Sequence, residues 1–257
     1  MDKSAENTKP IKNRKRFAKF LNIFIIVIAL VVLALEGVLY YQRSYLTPFW
    51  VNGQSMYPTL NYNATDANGN KLNELSGSAD VGYTVDYGVM DTHKSAINKI
   101  KRFDIIVTKY SGSDNNKIKR VLGLPGETVE FKATGYGKAE NGDLYINGKL
   151  IEQPINMDFV RNDTYNEGQK WVLDSDEYFV CGDNRDHSSD SRTSGPIRKS
   201  YITGKVIAIC GTAEVYFDVD HYDIKNINYS WPRRIKWNKY IGIQAIWKRL
   251  KLKFKKD

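Results

Sequence analysis

One stretch decides the fold class of this chain: Ile118-Lys119-Arg120-Val121-Leu122-Gly123-Leu124-Pro125-Gly126-Glu127. Its branched and apolar residues are typical of a buried β-strand, and the Pro-Gly pair near its end is typical of a turn. Four similar runs lie along the chain, at residues 103–108, 128–131, 178–181 and 206–209. Because these runs do not alternate regularly with helical patterns, we predict a mainly antiparallel β protein.

Two other segments have recognisable local patterns. Asn147-Gly148 separates two short apolar runs within residues 144–151, and this dipeptide tolerates the positive φ angles of a two-residue hairpin turn. We therefore predict a β-hairpin there. Residues 61–99 are rich in Asn, Asp, Gly and Ser and contain only short apolar runs, which predicts a loop-rich insertion.

A long apolar run precedes the strands. Residues 20–41 contain only two strongly polar side chains, Asn22 and Glu36. At about 1.5 Å per residue, a helix of this length spans the roughly 30 Å of a bilayer's hydrocarbon core. A cleavable secretory signal usually has a shorter apolar region that ends at small residues, and residues 40–43 offer none. We predict an uncleaved transmembrane helix.

The charges beside this run predict its orientation. Residues 1–19 carry seven basic and two acidic side chains, and basic flanks stay on the cytoplasmic side. The N-terminal tail is therefore expected in the cytoplasm. The domain that follows residue 41 is expected on the outer face of the plasma membrane.

The formal net charge of +9 is concentrated at the two ends of the chain. Residues 233–257 carry ten basic and one acidic side chain, which leaves residues 20–232 with a net negative charge. This distribution does not indicate nucleic-acid binding, which favours a basic stripe across a folded face, and it suits anionic lipid better. Apolar residues recur at helical spacing from Ile243 to Phe254, so the tail is either a basic amphipathic segment on the membrane or a solvated tail.

A candidate nucleophile lies just beyond the apolar run, in Val51-Asn52-Gly53-Gln54-Ser55-Met56-Tyr57-Pro58-Thr59-Leu60. A serine hydroxyl is a poor nucleophile at neutral pH, so Ser55 needs a base. Of the three histidines, His93 and His221 lie in polar stretches, whereas composition alone does not exclude His187. The other candidate is Lys119, because desolvation in an apolar strand lowers the pKa of a lysine amine.

A third segment contains dense mixed charge directly after an apolar strand. Residues 182–192 hold three aspartates, two arginines and three serines. One interpretation is a network of charge-assisted hydrogen bonds that orders a long loop. The other is a supporting set that holds a lysine amine and a serine hydroxyl in register. The two interpretations are compatible.

Taken together, residues 55–60, 102–107, 119–127 and 182–192 resemble the corresponding segments of type I signal peptidases, in the same order and with similar spacing. The resemblance is to the shorter, single-span forms typical of Gram-positive-type bacteria. It implies a membrane-bound serine endopeptidase with a Ser/Lys dyad that removes signal peptides from exported preproteins, with small residues before the cut. It implies no metal and no cofactor.

The resemblance also implies roles for individual residues. Ser55 matches the nucleophile, Lys119 the general base, and Ser188 the serine that hydrogen-bonds the lysine amine. The remaining matches are an apolar neighbour of the nucleophile and residues that shape or support the site: Met56, Asp183, Arg185, Asp190 and Arg192. The fold implied is an antiparallel β catalytic core, residues 42–132 and 176–232, with a smaller β cap at residues 133–175.

Several residues depart from the family pattern. Phe103 stands where the family commonly has Gly, and His187 stands where Asn is common. Gly53 stands where some members carry a hydroxyl that helps to bind the oxyanion, which leaves the second oxyanion donor open. Cys181 and Cys210 suit either a disulfide or two free thiols.

Two other classes of protein remain as alternatives. A self-cleaving Ser/Lys regulator of the repressor type would lie in the cytoplasm and carry a DNA-binding region, which the apolar run and the absence of a helix-turn-helix pattern disfavour. A non-catalytic relative that assists assembly at the cell surface would be expected to lack the serine or the lysine.

Overall fold

The computed structural model describes residues 9–65, 83–110, 115–132, 143–154, 169–218 and 221–234. The chain separates into two compact units at the boundary between Leu46 and Thr47. The first unit is one long helix, and the second is built on two β-sheets.

Helix α1 (Lys9–Tyr45) forms the first unit and contains the predicted span of residues 20–41. Its section Arg14–Tyr45 is long and apolar enough to cross a membrane, and none of it is buried against protein. Because apolar side chains surround the helix instead of forming a single stripe, it has no polar face suited to water.

The strands follow in chain order. They are β1 (Leu46–Trp50), β2 (Tyr83–Asp91), β3 (Ile105–Thr108), β4 (Lys117–Gly123), β5 (Thr128–Lys132), β6 (Asp143–Ile146), β7 (Lys149–Leu150), β8 (Lys170–Val172), β9 (Glu177–Cys181), β10 (Ile197–Arg198), β11 (Ile202–Asp218) and β12 (His221–Arg234). The described residues of the second unit also contain two short α-helices, α2 (Lys94–Asn98) and α3 (Ser191–Ser194), and two 3₁₀ turns, Arg185–His187 and Lys199–Tyr201.

The larger sheet has the order β1-β2-β11-β3-β4-β9-β10, with β12 also paired to β11. Neighbouring strands from β2 to β10 run antiparallel, as do β11 and β12. The prediction of a mainly antiparallel β protein is therefore confirmed. The five apolar runs seen in the sequence correspond to β3, β4, β5, β9 and the first half of β11.

The second half of the predicted loop-rich insertion differs from that interpretation. Residues 83–91 form β2, which lies inside the sheet between β1 and β11. Val85 is fully buried although Asp86 and Gly88 interrupt the apolar pattern, so the strand was missed. The predicted amphipathic tail lies outside the described residues, apart from residues 233 and 234, which end β12.

The smaller sheet has the order β7-β6-β5-β8. The predicted hairpin on Asn147-Gly148 is present as β6 and β7, and both turn residues have positive φ, 52° and 78°. This sheet overlaps the segment expected as a cap, but it begins with β5, before residue 133. Residues 133–142 and 155–168 of that segment lie outside the described residues.

Two apolar clusters position the candidate site. One joins the two sheets: Leu122 of β4 and Phe179 of β9 pack with Val129, Phe131 and Leu144. The other contains side chains from the segment around Ser55 together with residues of β1, β2, β3 and β11. The serine segment is thereby anchored on the sheet that carries Lys119.

Candidate active site

Ser55 lies in a short turn, residues 53–60, called the serine turn below. The N–H of Tyr57 donates to the carbonyl of Gln54 at 2.9 Å, and the N–H of Leu60 donates to that of Met56 at 2.9 Å. The side chains of Met56 and Leu60 are fully buried in the apolar cluster. Because the residues after Ser55 are anchored in this way, the backbone that carries the serine hydroxyl is held in a fixed position.

Lys119 lies in β4, a strand buried on both faces of the sheet. Its side chain is only 3% exposed, and its Nζ donates to Ser55 Oγ at 2.8 Å and to the carbonyl of Ile118 at 3.1 Å. Burial disfavours the charged ammonium and lowers the pKa of Lys119 from 10.5 to about 8. Roughly a tenth of the amine is thus neutral at pH 7, within hydrogen-bonding distance of the serine hydroxyl.

Asn184 holds the other side of the serine turn. Its backbone N–H donates to the carbonyl of Ser55 at 3.0 Å, and its side-chain Nδ2 donates to the carbonyl of Gln54 at 3.3 Å. In a trans peptide the C=O and the following N–H point in opposite directions. Holding the Gln54 carbonyl therefore also fixes the direction of the Ser55 N–H, the default donor to an oxyanion.

Asp190 and Arg192 form a buried pair close to Lys119. Arg192 donates through Nε and Nη2 to the two oxygens of Asp190, at 2.8 Å and 2.9 Å, and the N–H of Gly182 donates to Asp190 at 3.0 Å. Burial raises the pKa of Asp190, and these hydrogen bonds oppose the rise. Arg192 also donates to the carbonyl of Arg185 at 2.7 Å. The pair therefore ties together the ends of residues 182–192, called the charged loop below.

Gly182 allows the charged loop to approach the serine turn closely. A Cβ at this position would lie 2.4 Å from the carbonyl oxygen of Ser55 and 2.3 Å from Ser188 Oγ, both far inside contact distance. Any side chain at residue 182 would therefore push the loop away from Ser55.

Ser188 does not make the contact that the resemblance implies. Its Oγ is buried near the Asp190 carboxylate but has no well-aligned hydrogen-bond partner among the described residues. Lys119 donates instead to Ser55 and to a backbone carbonyl. The expected hydrogen bond between Ser188 and the lysine amine is thus absent here, because the amine points towards those two acceptors.

Arg120 is a supporting residue that sequence reasoning missed. It donates through Nε and Nη2 to the two oxygens of Asp183, at 2.7 Å and 2.5 Å, and both side chains are almost fully buried. Arg120 also donates to the carbonyl of Phe103 at 2.9 Å and lies 3.4 Å from Thr59 Oγ1. The signal was available: an arginine inside an apolar strand requires a buried acidic partner.

Arg185 supports the charged loop from the side of the smaller sheet. Its Nε donates to the carbonyl of Gly182 at 3.0 Å, its Nη2 donates to Gln153 Oε1, and its guanidinium lies over the ring of Phe131. The sequence-predicted residues 183, 185, 190 and 192 thus lie in one network around residues 55 and 119.

Phe103 has a backbone conformation that glycine adopts more easily. Its φ is +77°, in the left-handed region that costs a residue with a Cβ about 1–2 kcal/mol. The backbone is held there because its N–H donates to Val121 at 2.7 Å and its carbonyl accepts from Arg120. The phenyl ring packs against the cluster around Leu122, which offsets part of this strain.

The remaining candidates lie outside this arrangement. The side chain of His93 caps the first turn of α2, and His187 is exposed. Cys181 and Cys210 are both free thiols, so the alternative without a disulfide is the observed one. Burial raises the pKa of the Cys181 thiol well above its usual value, which keeps it protonated.

A serine hydroxyl beside a buried, partly neutral amine, in an antiparallel β domain, has the chemistry of a serine hydrolase. Comparison with known proteins specifies the family. The family model described as "Signal peptidase, peptidase S26" matches residues 18–210. Signal peptidase I S of Bacillus subtilis is 34% identical over 183 residues, which cover 68% of this chain and 82% of that protein.

Two further similarities are found. Signal peptidase IB of Staphylococcus aureus is 29% identical over 195 residues, covering 70% of this chain and 83% of the relative. The crystal structure of a signal peptidase I from Enterococcus faecalis is 31% identical, covers 42% of this chain and 96% of its own, and superposes with a TM-score of 0.33. The chain belongs to the signal peptidase I family of serine endopeptidases, which cleave signal peptides from preproteins. Together with helix α1, the family indicates a membrane-anchored protein.

Proposed function

We propose that this chain cleaves preproteins with Ser55 as nucleophile and Lys119 as general base. The observation that carries the proposal is the 2.8 Å contact between Ser55 Oγ and the buried amine of Lys119. Neutral Lys119 takes the hydroxyl proton as Oγ attacks the scissile carbonyl, and the resulting ammonium protonates the leaving amine. An acyl-enzyme remains on Ser55, and water hydrolyses it with Lys119 again as base.

The surrounding residues support this mechanism by position. The backbone N–H of Ser55 is the donor to the oxyanion, and Asn184 fixes its direction by holding the Gln54 carbonyl. Asp190, Arg192, Asp183 and Arg185 keep the charged loop folded against the turn, while burial keeps the Lys119 pKa low. No step requires a metal or a cofactor.

Replacing Ser55 with Ala is expected to reduce preprotein cleavage by roughly 10⁴-fold or more, because removal of a nucleophile leaves only residual binding effects. The measurement is release of mature protein from a preprotein by the full-length enzyme in detergent. Ser189→Ala is the matched control, since Ser189 is an exposed serine of the charged loop and is expected to leave the rate unchanged. Cleavage by the Ser55 variant at the native rate would reject the dyad.

We further propose that the N-terminus is cytoplasmic and the β domain lies on the outer face of the membrane. The support is the excess of basic residues within residues 1–19, just ahead of the apolar span of residues 20–41, since such flanks stay inside. A signal peptide that is still in the bilayer would then present its cleavage site near Ser55.

Protease added to intact cells without a wall is expected to digest the β domain and leave a membrane-protected fragment containing the N-terminal tail. Antibodies against tags at the two ends would identify the fragments. Lysed cells provide the control in which both ends are digested. Protection of the β domain in intact cells would contradict the proposed orientation. Among the alternatives, it would favour the self-cleaving regulator, which lies in the cytoplasm.

A further inference from the structure

Asn61 has an unusual position for a residue at the start of a loop. It is 1% exposed, and its φ of 61° places it in the left-handed region, which Asn tolerates better than most residues. It directly follows Leu60, whose side chain is buried in the apolar cluster. The side chain of Asn61 is therefore directed back into the protein, towards the segment that precedes Ser55.

All of the polar atoms of this side chain are used. Nδ2 donates to the carbonyl of Val51 at 2.8 Å and to that of Gly53 at 3.1 Å. Oδ1 accepts the N–H of Asp86 at 2.8 Å. Two carbonyls on one side and an N–H on the other allow only one orientation of the amide, so the donor and acceptor assignment is unambiguous.

Asp86 of β2 completes a reciprocal arrangement. Its carboxylate accepts the backbone N–H of Asn61 at 2.8 Å, and its backbone carbonyl accepts the N–H of Val51 at 3.0 Å. Both residues are buried, where unmade hydrogen bonds are expensive. Strand β2, which is part of the sheet, thus holds Asn61 in the place from which it contacts the serine turn.

The contact from Asn61 to the Gly53 carbonyl matters because glycine is the most flexible residue of the backbone. The φ of Gly53 is +86°, a conformation that glycine adopts without strain, and among the described residues no neighbouring atom lies within 4 Å of the place where its side chain would be. Packing against a side chain at residue 53 therefore does not hold this peptide. Asn61 holds the Gly53 carbonyl, and Asn184 holds the next one, that of Gln54.

We infer that Asn61, held by Asp86, is a positioning residue for the nucleophile: it sets the peptide between Gly53 and Gln54, and through it the placement of Ser55. The inference rests on the proposed role of Ser55. In a trans peptide, fixing the carbonyl of Gly53 also fixes the N–H of Gln54, so the two asparagines orient the two consecutive peptides that lead into Ser55. The side-chain hydrogen bonds of Asn61 go to Val51, Gly53 and Asp86, so it acts through the turn.

The test is Asn61→Gly in the full-length enzyme, assayed on a preprotein in detergent. Glycine adopts a φ near +61° without strain and retains the backbone N–H that donates to Asp86, so only the side-chain hydrogen bonds are lost. We expect kcat to fall at least about tenfold, since a displacement of about 1 Å at a reacting group costs up to roughly 10²-fold. KM should change little, and the rate should still rise through about pH 8 because Lys119 remains buried.

Two further variants separate positioning from general stability. Asn61→Asp keeps an acceptor for the Asp86 N–H but removes the donor to Val51 and Gly53, and it is expected to lose kcat to a similar extent. Thr65→Val breaks the contact of 2.6 Å between Thr65 Oγ1 and Thr84 Oγ1, which ties the same segment to β2 without touching the serine turn. This control should keep the native kcat once the folded fraction, measured by circular dichroism, is taken into account.

A kcat within about twofold of native for folded Asn61→Gly or Asn61→Asp would overturn the inference, because uniform losses in folding do not alter turnover of the folded enzyme. An equal loss in Thr65→Val would overturn it as well. Failure of the proposed function has a different signature: Ser55→Ala would retain cleavage whatever the behaviour of the Asn61 variants.

Discussion

Replacing Lys119 with Met is expected to reduce cleavage by about 10²- to 10⁴-fold and, at the same pH, to stabilise the fold. The two effects have one cause. Lys119, the proposed base, is buried, and burial of an amine that is still largely protonated at neutral pH destabilises the folded protein. Methionine has a similar shape without the charge. The cleavage assay and thermal unfolding of the same preparation measure the two effects.

The stability effect has a defined pH dependence. Because the folded pKa of Lys119 is lowered from 10.5 to about 8, the unfolded chain binds more protons than the folded one between these values. The native enzyme therefore gains stability as pH rises through this window, and the advantage of Lys119→Met is largest below pH 8 and disappears above about 10.5. At 1.36 kcal/mol per pKa unit, the difference between 10.5 and about 8 amounts to roughly 3 kcal/mol at pH 6.5. Methionine also loses the two hydrogen bonds of the amine, so we expect a gain of roughly 1–3 kcal/mol.

The cleavage rate of the native enzyme should follow the same titration. Its kcat/KM is expected to rise with pH and level off above about 8, as Lys119 loses its proton. Lys117→Met is the matched control, because Lys117 is an exposed lysine of the same strand. The charge of Lys117 lowers the pKa of Lys119. Its removal should keep activity and shift the rise of the pH profile to a slightly higher pH. Retained cleavage in Lys119→Met would exclude this lysine as the base.

Replacing Arg120 with Met is expected to lower the free energy of unfolding by roughly 3–5 kcal/mol, because it leaves the Asp183 carboxylate buried without its charged partner. The side chains of the pair are 4% and 1% exposed, so water does not replace the lost hydrogen bonds. The contacts from Arg120 to the turns at residues 59 and 103 are also lost. Thermal or urea unfolding of the detergent-solubilised enzyme measures the change.

The double variant Arg120→Met, Asp183→Leu tests the physical reason. If the unpaired charge dominates, removing both charges should recover most of the lost stability, and the double-mutant cycle should show strong coupling. Lys205→Met is the control for a more exposed pair: Lys205 and Asp104 lie 2.6 Å apart with side chains 27% and 19% exposed. Its loss is expected to stay below about 1 kcal/mol. A loss as small as this for Arg120→Met would contradict the argument.

Local patterns were sufficient for much of the fold. The runs that became β3, β4, β5 and β9 contain consecutive apolar residues bounded by turn residues, and the Asn147-Gly148 turn follows from backbone freedom at two positions. Helix α1 follows from apolar length alone. Strand β2 was missed because Asp86 and Gly88, which are themselves buried, interrupt its apolar residues, and local preference assigns both residue types to loops.

For the candidate site, the sequence indicated which residues take part but not all of the contacts between them. Lys119 could be selected from sequence because an amine within an apolar strand is expected to be desolvated, and the structure places it 2.8 Å from Ser55. The hydrogen bond expected from Ser188 is not formed in the structure, because the direction of the amine depends on which acceptors surround it.

By itself, the amino-acid sequence determined the membrane-length helix, the antiparallel β class and the residue types from which a serine hydrolase site is built, because each depends on short-range composition and periodicity. Only the tertiary structure decided the pairing of Arg120 with Asp183 and of Asn61 with Asp86. These partners lie 63 and 25 residues apart. Their contacts depend on strand register and on the path of loops, which arise when the whole core packs and every buried polar group must find a partner.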